Sequence, residues 1–160
     1  MDFEQNQTTG MTLAEAIDKY GRIEDHKWAN EGLFMVSFIV PSYVGDYWIN
    51  TLTGKPVKSI YINKDMQPCL LSALSNLSSC GIINELKTFD GCFGIRDVRG
   101  HPGEPSAHSY GIAIDINAAE NPLGGESKFS EEFIKCFEWA GFRWGGTFGR
   151  KDPMHFTLGW

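Results

Sequence analysis

The sequence has no basic run, no long apolar run, no cysteine pair at CxxC spacing and no low-complexity tract. Each absence excludes a class of protein. Lys and Arg make most phosphate contacts in nucleic-acid complexes. Here the formal net charge is -6 and the cations are scattered, so no nucleic-acid partner is expected. The most apolar stretch, GLFMVSFIVPSYV, is interrupted by Ser and Pro and is too short to span a bilayer, so membrane insertion is not expected either. The opening residues, MDFEQNQTTG, offer neither the positive n-region nor the apolar h-region of a secretory signal, and imply a protein made and held in a cytosol. The four cysteines, Cys69, Cys80, Cys92 and Cys136, lack zinc-finger spacing, and 160 residues can bury a core without disulfide staples. They are read as ordinary buried or half-buried thiols. With no repeat and no Ser/Gly/Pro linker, residues 1–160 read as one domain, expected to be a monomer.

The local patterns are clearer than any global one. Thr12 followed by Glu15 is a capping box before a short helix, TLAEAIDKY. VKSIYI (57–62) alternates like a strand. After Pro68, the helical spacing of Leu70, Leu71, Leu74 and Leu77 predicts a core helix closing on Gly81. Residues 86–95 read as extended, and the Gly- and Pro-rich stretch RGHPGEPS as a loop. FSEEFIKCFEWA (129–140) is the clearest amphipathic helix, with Ser130 as N-cap, Glu131 and Glu132 in the first turn, and Gly141 at its end. FRWGGTFGRKDPMHFTLGW then reads as two short strands around a loop. Strands and helices mix without a βαβ rhythm, which predicts an α+β fold with a small antiparallel sheet flanked by helices.

Within SAHSYGIAIDIN (106–117), His108 and Asp115 sit in an apolar setting. A buried carboxylate without a partner costs several kcal/mol or shifts its pKa until it is neutral, so Asp115 implies a positive partner. If 111–117 is a strand, Ile112, Ile114 and Ile116 share a core face, while Gly111, Ala113, Asp115 and Asn117 share the other. The small residues would clear space around Asp115. Seven residues of straight strand would hold His108 roughly 23 Å away, so a meeting requires the chain to reverse at Ser109–Tyr110–Gly111. A His–Asp hydrogen bond or a plain turn accounts for this pair equally well.

The C-terminus adds to the pattern. In RKDPMHFTLGW, His155 heads a strand in which Phe156 and Leu158 face the core, and Asp152 lies just before Pro153. Two histidines and one carboxylate form a familiar catalytic zinc set with one position open to water, and a further carboxylate nearby can act as general base.

Ser106 to Asp115, S-x-H-x-x-G-x-A-x-D, with Asp152 to Phe156 downstream, D-x-x-H-F, resembles the zinc D-alanyl-D-alanine carboxypeptidases, which share a fold with the Hedgehog signalling domain. The pattern is more similar still to the phage L-alanyl-D-glutamate endopeptidases, endolysins that cut peptidoglycan stem peptides. The resemblance runs from about Phe93 to Trp160, through GIRDVRG, ENPLG and FRWGG, and is absent from residues 1–50. It implies a Zn2+ held by His108, Asp115 and His155, with Asp152 as the catalytic carboxylate. It implies that Arg96 polarises the scissile carbonyl or holds a substrate carboxylate, and that Ser106 bonds substrate. Thr157 stands where many relatives carry Glu. The implied activity is hydrolysis of a peptidoglycan stem peptide at the L-alanyl-D-glutamate bond, by an enzyme kept in the host cytoplasm until lysis. The alternatives are a D-alanyl-D-alanine carboxypeptidase and a non-catalytic zinc-bearing wall-binding domain.

Outside the motif, His26 and His101 read as exposed loop residues. Trp139, Trp144 and Trp160 are expected to pack in the core rather than to form a sugar-stacking surface. Asn117 is open between a turn residue and a partner of the site.

Overall fold

The computed structural model describes residues 10–160. The polar start is therefore outside the described residues, except for Gly10. In chain order the elements are α1 (Leu13–Tyr20), β1 (Ile23–Glu24), β2 (Lys27–Trp28), α2 (Glu31–Phe34), β3 (Met35–Ile39), β4 (Ile49–Asn50), β5 (Ser59–Asn63), α3 (Gln67–Ser79), β6 (Thr88–Gly91), β7 (Ala113–Ile116), α4 (Glu131–Glu138), β8 (Arg143–Trp144) and β9 (His155–Thr157). The fold is α+β, as the sequence implies.

Local chemistry explains the helix boundaries. Thr12 Oγ1 accepts from the Glu15 amide at 3.1 Å and starts α1. Ser130 Oγ does the same for the Phe133 amide at 3.2 Å and starts α4, a cap worth about 1 kcal/mol. Pro68 sits in the first turn of α3, where its missing N–H costs nothing.

The principal sheet has five strands in the order β4-β6-β7-β9-β8. Its pairings are antiparallel except for β4 with β6, which run parallel. The antiparallel expectation misses this edge because β4 is only two residues long and carries no alternating pattern. A separate antiparallel pair joins β3 to β5, and a small one joins β1 to β2.

Two apolar clusters flank the sheet. In the larger, Leu70, Leu74 and Leu77 of α3 and Phe133 and Phe137 of α4 pack with Ile114, Ile116 and Phe156. Each such side chain contributes roughly 1.5–3 kcal/mol by leaving water. In the smaller, Tyr20, Trp28, Met35, Tyr110, Ile112 and Ala113 come together. The segment 111–117 is thus buried on both faces, and Ile112 belongs to the second cluster rather than sharing one core face with Ile114 and Ile116.

Three further expectations need correction. Leu71 is 48% exposed, because it lies about 100° round α3 from Leu70, outside the packed stripe. Trp139 is 57% exposed at the C-cap of α4, and Phe142, at 1%, fills the adjoining core position. The strand in 57–62 begins only at Ser59 and runs on to Asn63. Trp144 packs against the larger cluster and Trp160 against the smaller, as expected. Among the described residues, no helix is long and apolar enough to cross a membrane.

Candidate metal centre

The chain reverses between His108 and Asp115 where the sequence places the turn. Residues 107–110 form a single 3-10 turn, and Gly111 follows in the left-handed region at φ 67°. Only glycine fits there without strain. A Cβ at Gly111 would also stand 2.6 Å from Met35 Sδ and 2.9 Å from the Asn63 amide. The turn brings His108 Nε2 to 3.2 Å from Asp115 Oδ2.

His155 arrives from the neighbouring strand. β7 and β9 pair with Asp115 directly opposite His155, which leaves His155 Nδ1 3.0 Å from Asp115 Oδ1. One donor atom from each of His108, Asp115 and His155 lies within 4.8 Å of the others, and all three residues are buried. Ligand atoms ~2.0–2.2 Å from a tetrahedral metal stand roughly 3.3–3.6 Å apart, so this cluster suits such an ion with little adjustment.

A detail without any sequence signature supports the fit. His108 Nδ1 lies 2.7 Å from the Cys92 carbonyl oxygen. A carbonyl only accepts, so Nδ1 carries the proton and Nε2 presents its lone pair to the cluster, the arrangement typical of metal-binding imidazoles. Burial opposes ionisation of Asp115. The proximity of the His108 and His155 rings outweighs it and holds the carboxyl well below the usual range. A carboxylate that stays ionised is what a cation requires.

Asp152 stands at the edge of the cluster, its Oδ2 4.0 Å from His155 Nδ1. Its turn is closed by the His155 amide donating to the Asp152 carbonyl at 3.0 Å, and its own amide donates to the Gly145 carbonyl at 2.9 Å. Burial pushes the Asp152 carboxyl up, and the nearby Asp115 charge adds to this against the opposing pull of His155, His108 and Arg96. A carboxylate so raised is a better proton acceptor.

Arg96 reaches the cluster from the other side, 3.9 Å from Asp115 Oδ2. Its backbone is held by Ser109, whose hydroxyl donates to the Arg96 carbonyl at 2.8 Å and accepts from the Arg96 amide at 3.0 Å. The Ser106 amide also donates to the Arg96 carbonyl. Ser106 Oγ is buried without a hydrogen-bond partner among the described residues. All six residues singled out by the motif therefore converge, and all six line an open cleft of about 560 Å³. Arg99, Phe148, Arg150 and Trp160 complete its walls. Phe148, Arg150, the Ser109 clamp and the Cys92 carbonyl escaped the sequence reading.

The remaining candidates stay outside. His26 and His101 are exposed, as expected. Asn117 is a turn residue at φ 53°. Its side chain accepts from the Lys87 and Thr88 amides and donates to the Glu85 carbonyl, which splices β6 to β7 rather than serving the cluster. Thr157 is fully buried, and its hydroxyl accepts from the Gly159 amide at 2.9 Å.

Residues 99–158 match the family model described as D-alanyl-D-alanine carboxypeptidase. The matched segment is less than half of the chain but contains His108, Asp115, Asp152 and His155, while Arg96 lies just before it. Comparison with curated proteins and with solved structures gives no match. The family match and the buried His–Asp–His group inside the matched segment together support a hydrolase of the peptidase class.

Proposed function

We propose that the protein is a zinc peptidase that hydrolyses the L-alanyl-D-glutamate bond of the peptidoglycan stem peptide and serves as a phage endolysin. The observation that carries this reading is the buried His108–Asp115–His155 cluster with Asp152 beside it at the floor of an open cleft. A purely structural metal site would close its fourth position and has no use for a raised carboxyl facing the opening. That argues against a non-catalytic binding domain.

Zinc, when bound, supplies a Lewis acid that polarises the scissile carbonyl and lowers the pKa of water toward ~7. Asp152 Oδ2 takes the proton of the attacking water and returns it to the leaving amine, so one carboxyl serves both halves of the reaction. Arg96 lies where its guanidinium meets the developing oxyanion or a substrate carboxylate, a donor worth ~3–4 kcal/mol when well placed. Ser106, in the wall of the cleft, bonds the substrate. The catalytic residues are thus Asp152 and Arg96, the metal ligands His108, Asp115 and His155, and the substrate-binding residue Ser106.

The protein acts as a monomer of one domain, waiting in the host cytoplasm until the membrane is breached. Residues before 50 support the site from behind, since Tyr110 of the metal-binding turn donates its hydroxyl to the Gly21 carbonyl at 2.8 Å. The description of the matching family favours a second reading, cleavage of terminal D-alanyl-D-alanine. Mass spectrometry of muropeptides released from permeabilised cells, with and without chelator, decides between them. Free L-alanine ends support the endopeptidase, whereas loss of terminal D-alanine alone overturns it in favour of the carboxypeptidase. Intact muropeptides overturn both.

A further inference from the structure

Cys80 and Cys136 take no part in the cleft, yet their sulfur atoms stand 4.0 Å apart although 56 residues separate them in the chain. Helix packing sets this approach. Asn76 Nδ2 donates to the Cys136 carbonyl at 2.9 Å and so fixes the register of α3 on α4. Asn76 and Cys80 are four residues apart and share one face of the helix, so the bond that fixes the register also lays Cys80 against Cys136. Cys80 is the C-cap of α3, its amide donating to the Asn76 carbonyl, and Gly81 follows at φ 72°. A helix end followed by glycine lets a side chain turn at small cost. A disulfide needs the sulfurs about 2 Å closer than they stand, a distance within reach of side-chain rotation.

We propose that Cys80 and Cys136 are a redox-active dithiol that closes to a disulfide across α3 and α4 in oxidising surroundings. The oxidant is a low-molecular-weight disulfide such as oxidised glutathione. Cys80 is exposed and Cys136 buried, which sets the order of events. The Cys80 thiol loses its proton and attacks the glutathione disulfide. The S–S bond breaks, one glutathione thiolate leaves, and a mixed disulfide forms on Cys80. The Cys136 thiol then loses its proton and attacks the Cys80 sulfur, expelling the second glutathione thiolate. Two protein thiols are oxidised and one glutathione disulfide is reduced. Burial, the contact with Cys80, and the charges of Glu85 and Glu132 push the Cys136 thiol up to about 12, consistent with its acting second.

The bridge would lie away from the cleft, because Phe133 and Phe137 of α4 pack against Phe156, and that side chain points to the opposite side of β9 from His155. It would enclose the segment carrying His108 and Asp115 and constrain the unfolded chain. The inference does not depend on which bond the cleft cleaves.

The test uses metal-loaded full-length protein incubated with excess oxidised glutathione, then alkylated and digested. The expected result is a peptide cross-linked through Cys80 and Cys136, with Cys69 and Cys92 still alkylated. A rise of about 5–10 °C in thermal midpoint should accompany it, reversed by dithiothreitol. Cys80→Ser, at the exposed partner, should give no cross-link and no oxidant-dependent rise, without disturbing the core around Cys136. Four alkylated cysteines after oxidation overturn the proposal, as does a glutathione adduct that persists on Cys80 or an unchanged rise in Cys80→Ser.

Discussion

His155 Nδ1 stands 3.0 Å from Asp115 Oδ1 because β7 and β9 align these two residues directly across the ladder. The pairing register of two strands therefore doubles as the geometry of the candidate metal centre. Side chains alternate along a strand, so a slip of one residue would send His155 to the opposite face.

Asp115→Asn keeps the shape but removes the negative charge that attracts a cation. The metal content of purified protein, measured by plasma mass spectrometry, should fall from about one zinc per chain to background. The loss of affinity should exceed the ~10–100-fold typical of an outer partner. In the parent protein, zinc at 1,000 times its dissociation constant should add about 4 kcal/mol of stability, removed by chelator. Zinc-dependent stabilisation that survives in the variant would contradict the assignment.

Asp152→Asn should separate chemistry from metal binding. Zinc content should be unchanged while kcat for stem-peptide hydrolysis falls about 10²–10⁴-fold, the range for a lost general base. Retention of full lysis in a turbidity assay would remove Asp152 from the mechanism.

Gly111→Ala tests the turn that joins the first two candidate ligands. The left-handed φ of 67° and the crowding by Met35 and Asn63 should cost about 2 kcal/mol or more. Urea unfolding would show a lower midpoint, with zinc affinity reduced alongside. A midpoint equal to that of the parent would mean that the turn relaxes freely.

Asp65 provides a pH test far from the metal. It accepts from the Tyr20 hydroxyl at 2.7 Å and pairs with Lys19 Nζ at 2.9 Å. Burial opposes its charge, but Lys19 and Tyr20 prevail and hold the carboxyl below its ordinary value. A folded pKa below the unfolded ~3.9 gives stability that is present above that pH and is lost as pH falls through the folded value. Asp65→Asn should therefore cost about 1 kcal/mol at pH 7, with the gap from the parent closing below pH ~3.9. A constant gap across that window in urea titrations would show that the ionised carboxyl contributes nothing.

The sequence by itself determined what is local. Thr12 and Ser130 cap their helices, Gly111 marks the reversal, and the two short motifs carry the candidate ligands, because capping, φ preference and side-chain alternation act over a few residues. It did not determine the parallel β4–β6 edge, the burial of both faces of 111–117, or the exposure of Leu71 and Trp139. The tertiary structure decided these, along with the Cys92 carbonyl behind His108 and the Ser109 clamp on Arg96. A backbone carbonyl has no residue signature, and exposure depends on which neighbours the fold brings. The three candidate ligands meet because a turn and a strand register, set by the packing of distant residues, place them within 4.8 Å of one another.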